Sequence, residues 1–271
     1  MTPASNTSCE LCGGVQKRTL HHIGGYDIQQ CESCGFAHIH PFPARAARAA
    51  FYAGSEVAAR KEKKRRGPLK RVAAFARHWL RKLSGRTKGT VFLRELTRRL
   101  PAGSRVLDIG CGTGAFLATA RTRYQCTGIE ISDDLAALAR ELGVEVLVGD
   151  FCDYPFGDRR FDAVAMVSLL EHLHQPLAAL RQCRALLAPG GLLLLKTVNH
   201  GGLNRRLMGA KWSGYRPPDH LVYFDPASLT RALKTAGFRD IQIGASLLND
   251  SFYCYAVRDD SAQGATGGPL S

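Results

Sequence analysis

The chain has 271 residues, 45% of them hydrophobic, and a formal net charge of +14. That is enough for one large domain, or a small one plus a medium one, with a sizeable core. No run of 18 apolar residues occurs, so no membrane-spanning helix is expected, and MTPASNTSCELCGG lacks the apolar segment of a secretory signal. Nine cysteines, an odd number without such a signal, point to a reduced, cytoplasmic protein with metal-bound thiols rather than a disulfide framework. The charge is concentrated. Residues 45–105 hold 19 Lys/Arg against 3 Asp/Glu, and the rest of the chain is close to neutral. A protein built throughout to wrap nucleic acid is therefore disfavoured.

Residues 1–44 are rich in Cys, His and Gly. CELC at 9–12 and CESC at 31–34 are C-x-x-C pairs with 18 residues between them. This spacing predicts a zinc ribbon ligated by Cys9, Cys12, Cys31 and Cys34, since four thiolates complete a closed tetrahedral site. His21 and His22 are not needed as ligands. Gly13 and Gly35, each following the second cysteine of a pair, suit knuckle turns. A piece this short buries little core, so the metal is expected to be structural.

Residues 45–90 read as a basic helical linker. After a charge run broken by Gly67-Pro68, the apolar residues Val72, Ala76, Trp79, Leu80 and Leu83 recur at helical spacing. The segment 60–88 either packs its apolar stripe on the main domain or meets an anionic partner: RNA, a membrane surface or an acidic protein.

From residue 91 to 258, apolar runs alternate with helical patterns, as in βα units around a parallel sheet. Strands are expected near Arg105–Ile109, Cys126–Ile131, Glu145–Val148, Phe161–Val167 and Leu192–Val198. Helices are expected over Ala115–Arg123, Asp133–Leu142 and Pro176–Leu187, the last ended by Pro189-Gly190-Gly191. Asp225-Pro226 reads as N-cap and first turn of a helix ending at Gly237. Ile241–Leu247 and Phe252–Val257 then form a hairpin at the sheet edge. The tail 259–271 is Gly/Ser/Ala-rich and expected to be disordered.

The stretch LDIGCGTGAF (107–116) is a strand running into a glycine turn and a helix start. Gly110-x-Gly112-x-Gly114 departs from the dinucleotide pattern G-x-G-x-x-G. Asp108 in the turn would repel a pyrophosphate and suits a cationic ligand. Glu130, at the end of the next strand, can accept from two ribose hydroxyls.

These pieces resemble the class I S-adenosylmethionine-dependent methyltransferases. The matching segments are VLDIGCGTGAFL (106–117), GIEIS (128–132), VLVGDF (146–151), FDAVAMVSLLEHL (161–173) and LLAPGGLLLL (186–195), in the family's order and spacing. The resemblance implies an α/β fold, a doubly wound Rossmann-like seven-stranded sheet with a reversed last strand. It places Asp108 near the methionine amino group and lets Gly110 and Gly112 approach the cofactor, with Cys111 as a small filler between them. Glu130 would hold the ribose and Ile131 would pack on the adenine. Asp150 would accept from the adenine amino group with Phe151 alongside, and Leu169 and Leu170 would line the adenosine, core packing being the alternative for Phe151 and the leucines. A four-cysteine ribbon before this domain, with WSGYRPPDHLVYF (212–224), is similar to methyltransferases of saccharide and natural-product pathways and to relatives of the ubiquinone-pathway O-methyltransferases. The basic segment is a departure from that group.

Methyl transfer from a sulfonium needs an aligned acceptor, and a hydroxyl acceptor needs a base. His172 and His220 are the candidates, with His200 behind them, and Glu171 could orient His172. Trp212, Tyr215 and Tyr223 either stack on a ring or sugar face of the acceptor or pack in the core or a lid. The expected reaction is methyl transfer to a small-molecule acceptor (a sugar, saccharide or natural-product intermediate), with O-methylation favoured over N or C. The alternative is an RNA or protein methyltransferase that docks its substrate on the ribbon and basic helix.

Overall fold

The computed structural model describes residues 8–44, 88–244 and 250–261. The amphipathic pattern at 72–83 and most of the basic segment lie outside the described residues, as does the tail from 262. Asp259–Ser261 are not part of a loose tail. The Asp259 N–H donates to Gly237 O at 2.9 Å, Arg184 donates to Asp259 O, and Asp260 accepts from the Gly190 N–H.

The N-terminal part is a meander of β1 (Lys17–Ile23), β2 (Tyr26–Cys31) and β3 (Ala37–His40). Next come α1 (Lys88–Arg99), β4 (Arg105–Ile109), α2 (Leu117–Ala120), β5 (Gln125–Glu130), α3 (Asp133–Arg140), β6 (Glu145–Val148) and β7 (Phe161–Val167). The chain ends with α4 (Pro176–Leu186), β8 (Leu187–Val198), α5 (Leu203–Met208), β9 (Val222–Tyr223), α6 (Pro226–Thr235), β10 (Phe238–Gly244) and β11 (Ser251–Arg258).

The large sheet has the order β10-β11-β8-β7-β4-β5-β6. Strands β4 to β8 pair parallel, and β11 runs antiparallel between β8 and β10. This is the seven-stranded, doubly wound sheet with a reversed last strand. Its central strands β4, β7 and β8 carry nearly continuous buried runs because both faces are covered, whereas the edge strand β10 is largely exposed. Val106, Ala163, Ala165, Leu192 and Leu194 face Phe92 and Leu96 of α1, Leu117 of α2 and Ala136 of α3. The alternate residues Leu107, Ile109, Val164, Met166, Leu193 and Leu195 face α4 and α6.

Ser132 caps α3 by accepting from Leu135 N. Two signals read from the sequence hold. Asp225 and Ser228 form a reciprocal capping box on α6, with Pro226 in its first turn. Pro189-Gly190-Gly191 follows the end of α4 at Leu186, as expected, though within a strand rather than a loop. β8 already begins at Leu187, and Ala188–Gly191 form a bulge, since Phe161 pairs with Leu187 and Ala163 with Leu192. Gly190 takes φ 68° there.

The ribbon is not closed on itself. β3 pairs antiparallel with β9, so the small sheet has the order β1-β2-β3-β9. Leu11, Ile28, Phe36 and Ile39 belong to the same core as Leu180, Phe224 and Leu229. The boundary expected between ribbon and main domain is thus crossed by a sheet and a shared core.

Candidate active site

In a doubly wound sheet the crevice opens at the carboxyl ends of the strands, where the strand order reverses. Here that point lies between β4 and β7. Gly110 and Cys111 donate to Ile129 O at 2.9 and 3.1 Å, which lays the glycine turn over β5. Glu130 fixes the same turn from its own strand. Its Oε2 accepts from the Gly112 N–H at 2.8 Å, and its Oε1 accepts from Ile131 and Ser132 at 2.9 and 3.1 Å.

Two glycines of the turn do different things. Gly112 has φ 54° and open space where a Cβ would stand, so its backbone is bare to a ligand. Gly114 has φ 74°, and a Cβ there would meet Leu142 at 2.6 Å and Ala139 at 3.2 Å. It serves helix packing.

Asp108 is almost fully buried, and its Oδ1 has no hydrogen-bond partner among the described residues. Burial, and then the neighbouring Glu130 charge, push its pKa up to about 8. A buried carboxylate of this kind is stabilised by a cation brought against it. Ile131, immediately after Glu130, is 52% exposed, an apolar surface at the rim of the crevice.

Cys111 packs inward. A Cβ on Gly128 would meet its Sγ at 2.7 Å, and burial pushes the thiol up to about 12, so it is no nucleophile. The Asp150 side chain accepts from Cys152 N at 3.0 Å. Phe151 is turned into the core, edge-to-face with Phe156. Leu170 is fully buried, whereas Leu169 leans on Gly110, where a Cβ would meet it at 3.2 Å. Of the two leucines, one lines the glycine turn and the other is core.

Three residues past Leu169, the short 3-10 turn Leu170–His172 delivers His172. Its Nδ1 faces the Asp219 side chain at 3.0 Å and the Asp219 carbonyl at 2.8 Å. Arg216 holds the other Asp219 oxygen at 2.6 Å. His220 stands edge-to-face with His172, ring centroids 4.8 Å apart. The His220 Nδ1 donates to Gly214 O at 2.7 Å, which leaves the lone pair on Nε2. Glu171 is buried, its Oε2 accepting from the Thr197 hydroxyl at 2.8 Å.

The two rings are driven apart electrostatically. Burial alone would lower His172, but the hydrogen bond it donates to Asp219 and the charges of Glu171 and Asp219 outweigh it and hold it above the usual histidine value. Burial, and then repulsion by His172, hold His220 below that value. Paired groups with opposite shifts are the pattern expected of an acid/base site.

The remaining candidates pack. His200 bonds the Tyr215 hydroxyl at 2.8 Å, and burial holds its pKa near 3. Trp212, Tyr215 and Tyr223 are buried against one another and His200, which answers for packing rather than an exposed stacking face. Sequence reasoning misses Asp219. The acidic residue beside His220 in PPDH is the available signal, but its partner lies 47 residues earlier.

The four ribbon cysteines also converge. Sγ of Cys9 and Cys34 are 3.6 Å apart, as are those of Cys12 and Cys31, and all four sulfurs lie within 4.8 Å of one another. Cys9, Cys12, Cys31 and Cys34 are not paired in disulfides. Four thiolates around a zinc at about 2.3 Å stand about 3.8 Å apart, so the donor set and spacing fit a tetrahedral ion. Gly13 and Gly35 turn the two knuckles at φ 72° and 77°, and Gly14 N–H donates to Cys12 Sγ.

The fold and the glycine turn define a methyltransferase. Residues 76–243 match the family described as Methyltransferase domain, and the chain belongs to it, as an S-adenosylmethionine-dependent enzyme. It is 36% identical over 166 residues to the ubiquinone biosynthesis O-methyltransferase of Xanthomonas axonopodis pv. citri (strain 306), covering 55% of this chain and 69% of that protein. With the counterpart from Xanthomonas oryzae pv. oryzae (strain PXO99A) it is 40% identical over 108 residues, 36% of this chain and 44% of that one. A SAM-bound amino pentose methyltransferase from Micromonospora echinaspora, involved in calicheamicin biosynthesis, superposes with a TM-score of 0.51 at 21% identity, covering 71% of this chain and 98% of that one. A possible histamine N-methyltransferase from Thermotoga maritima gives 0.52 at 22% identity, covering 68% and 96%.

Proposed function

We propose that the chain transfers the methyl group of S-adenosylmethionine to a hydroxyl of a small-molecule acceptor: a sugar, a saccharide or a natural-product intermediate. The observation that carries this is the edge-to-face pair of His172, bound to Asp219, and His220, bound to Gly214 O, with His172 three residues beyond the leucine that leans on the glycine turn. O-methylation is favoured because a hydroxyl needs a base, and because the curated relatives are named O-methyltransferases.

S-adenosylmethionine supplies an electrophilic methyl on its sulfonium. Asp108 would hold its ammonium group, Gly110 and Gly112 would admit it to the main chain, and Glu130 would turn its carboxylate to the ribose hydroxyls. Ile131 and Leu169 would flank the adenosine, and Asp150 would take the adenine amino group. His220 would accept the acceptor's hydroxyl proton at Nε2. His172, held as an imidazolium by Asp219, would stabilise the oxyanion that develops beside it. The ribbon cysteines would hold one structural Zn²⁺. Ribbon thiols gathered as metal ligands rather than paired in disulfides support a cytoplasmic setting. Among the described residues no helix is long and apolar enough to cross a membrane.

A second reading comes from the charge of residues 60–88: an RNA or acidic protein docked there and methylated. Incubation of the enzyme with methyl-labelled S-adenosylmethionine and a host extract separates the two. Label in the small-molecule fraction is the expected result. Label in RNA or protein, with transfer that falls steeply as salt rises, would overturn it.

A further inference from the structure

The ribbon grips the main domain at the turn that carries His172. Glu10, between Cys9 and Cys12, accepts the Leu177 N–H on Oε1 at 2.9 Å. Leu177 lies in the first turn of α4, whose N-cap Gln175 offers no side-chain bond. First-turn N–H groups of a helix need outside partners, and a carboxylate there also suits the helix dipole. The cap is therefore supplied by the metal knuckle, 167 residues away in sequence. At the far end of the ribbon, Pro43 O meets His174 Nε2 at 2.8 Å. Between these ties runs a backbone bridge. Ile39 N–H donates to Leu221 O at 2.9 Å, and Leu221 N–H donates to Glu171 O at 2.8 Å. Residues 171, 174 and 177 are thus held from the ribbon, directly or through Leu221, and His172 and His220 lie inside that frame.

We infer that the four-cysteine ribbon positions the histidine pair, and that Glu10 is the positioning residue that couples the metal knuckle to the His172 turn. Glu10 touches neither histidine and acts through the start of α4. The catalytic meaning of this coupling rests on the acceptor-side reading of His172 and His220 given above.

The test uses the full chain, zinc-loaded, with isotope-labelled histidine, and S-adenosylhomocysteine as the ligand. Glu10→Ala removes the acceptor, while Glu10→Gln keeps an Oε1 for Leu177. Ring resonances are followed across pH, and ligand affinity by calorimetry. Glu10→Ala is expected to move the His172 titration midpoint by half a pH unit or more and to shift the His220 signals. Affinity should stay within twofold, and Glu10→Gln should restore the parent titration. His174→Ala, which cuts the Pro43 tie, should also displace the His172 midpoint and carries the test should Glu10→Ala not fold. Unmoved His172 and His220 signals in the folded variants would overturn the coupling, as would a matching loss of ligand affinity. Methyl transfer by His220→Ala reports separately on the acceptor-side reading, so either can fall without the other.

Discussion

His172 and His220 stand edge-to-face at 82°, and their surroundings pull their proton affinities in opposite directions. A neutral His220 and a protonated His172 coexist between two limits. The acid limit is set by His220, below the usual histidine value, and the alkaline limit by His172, above it. Methyl transfer should give a bell-shaped pH profile. His220→Ala should erase the acid limb and lower kcat by about 10²- to 10⁴-fold. Asp219→Asn removes the group that lifts His172, so the alkaline limb should move to lower pH. A profile unchanged in His220→Ala would remove that residue from the chemistry.

Asp108 makes a prediction with two opposite signs. Its pKa rises from an ordinary 3.8 to about 8 on folding, so the folded chain holds a proton that the unfolded chain releases. That contribution to stability is complete below about pH 4 and is lost as pH rises through about 8. Asp108→Asn should therefore melt above the parent at pH 8.5 without ligand, by about 2–4 °C per kcal/mol relieved, and the gain should fade toward pH 4. The same change should weaken S-adenosylhomocysteine by about 100-fold or more, near 3 kcal/mol. Thermal shift and calorimetry read both, and unchanged affinity would refute the site.

Gly112 and Gly114 should fail differently. Alanine at Gly114 combines a left-handed φ with a Cβ 2.6 Å from Leu142, so it should cost about 2–3 kcal/mol of stability. Alanine at Gly112 meets open space and should cost about 1 kcal/mol of backbone strain. Its larger effect should be on ligand affinity. Denaturant titration and calorimetry of the two variants distinguish packing from cofactor approach.

The metal prediction is stoichiometric. Elemental analysis should find one zinc per chain, and Cys12→Ser should lose it. Because Leu11, Phe36 and Ile39 share a core with α4 and α6, metal loss should lower the melting temperature of the whole chain rather than release the ribbon alone. Protein purified without zinc would end the proposal.

What could be read beforehand followed from local rules. The glycine turn, the strands β4 to β8, the Asp225 cap and the four cysteines each rest on residues close together in the chain. What escaped is the contact between distant segments. Asp219 with His172, Glu10 with Leu177, and β3 with β9 leave no periodicity, because each is fixed by the tertiary fold. Pro189-Gly190-Gly191 marks the helix end within a residue, but its bulge in β8 escaped for a related reason, since only the pairing with β7 reveals it.

The pairing of β3 with β9 also orders events during synthesis. Ala37 and His38 leave the ribosome long before Val222 and Tyr223, their partners. The hairpin of β1 and β2 and the four thiols can assemble at once, but the outer edge of β3 stays open until about 180 further residues have been made. A part of the molecule made long before its partner strand is thus finished only with it, and early capture of the metal would shield it while it waits.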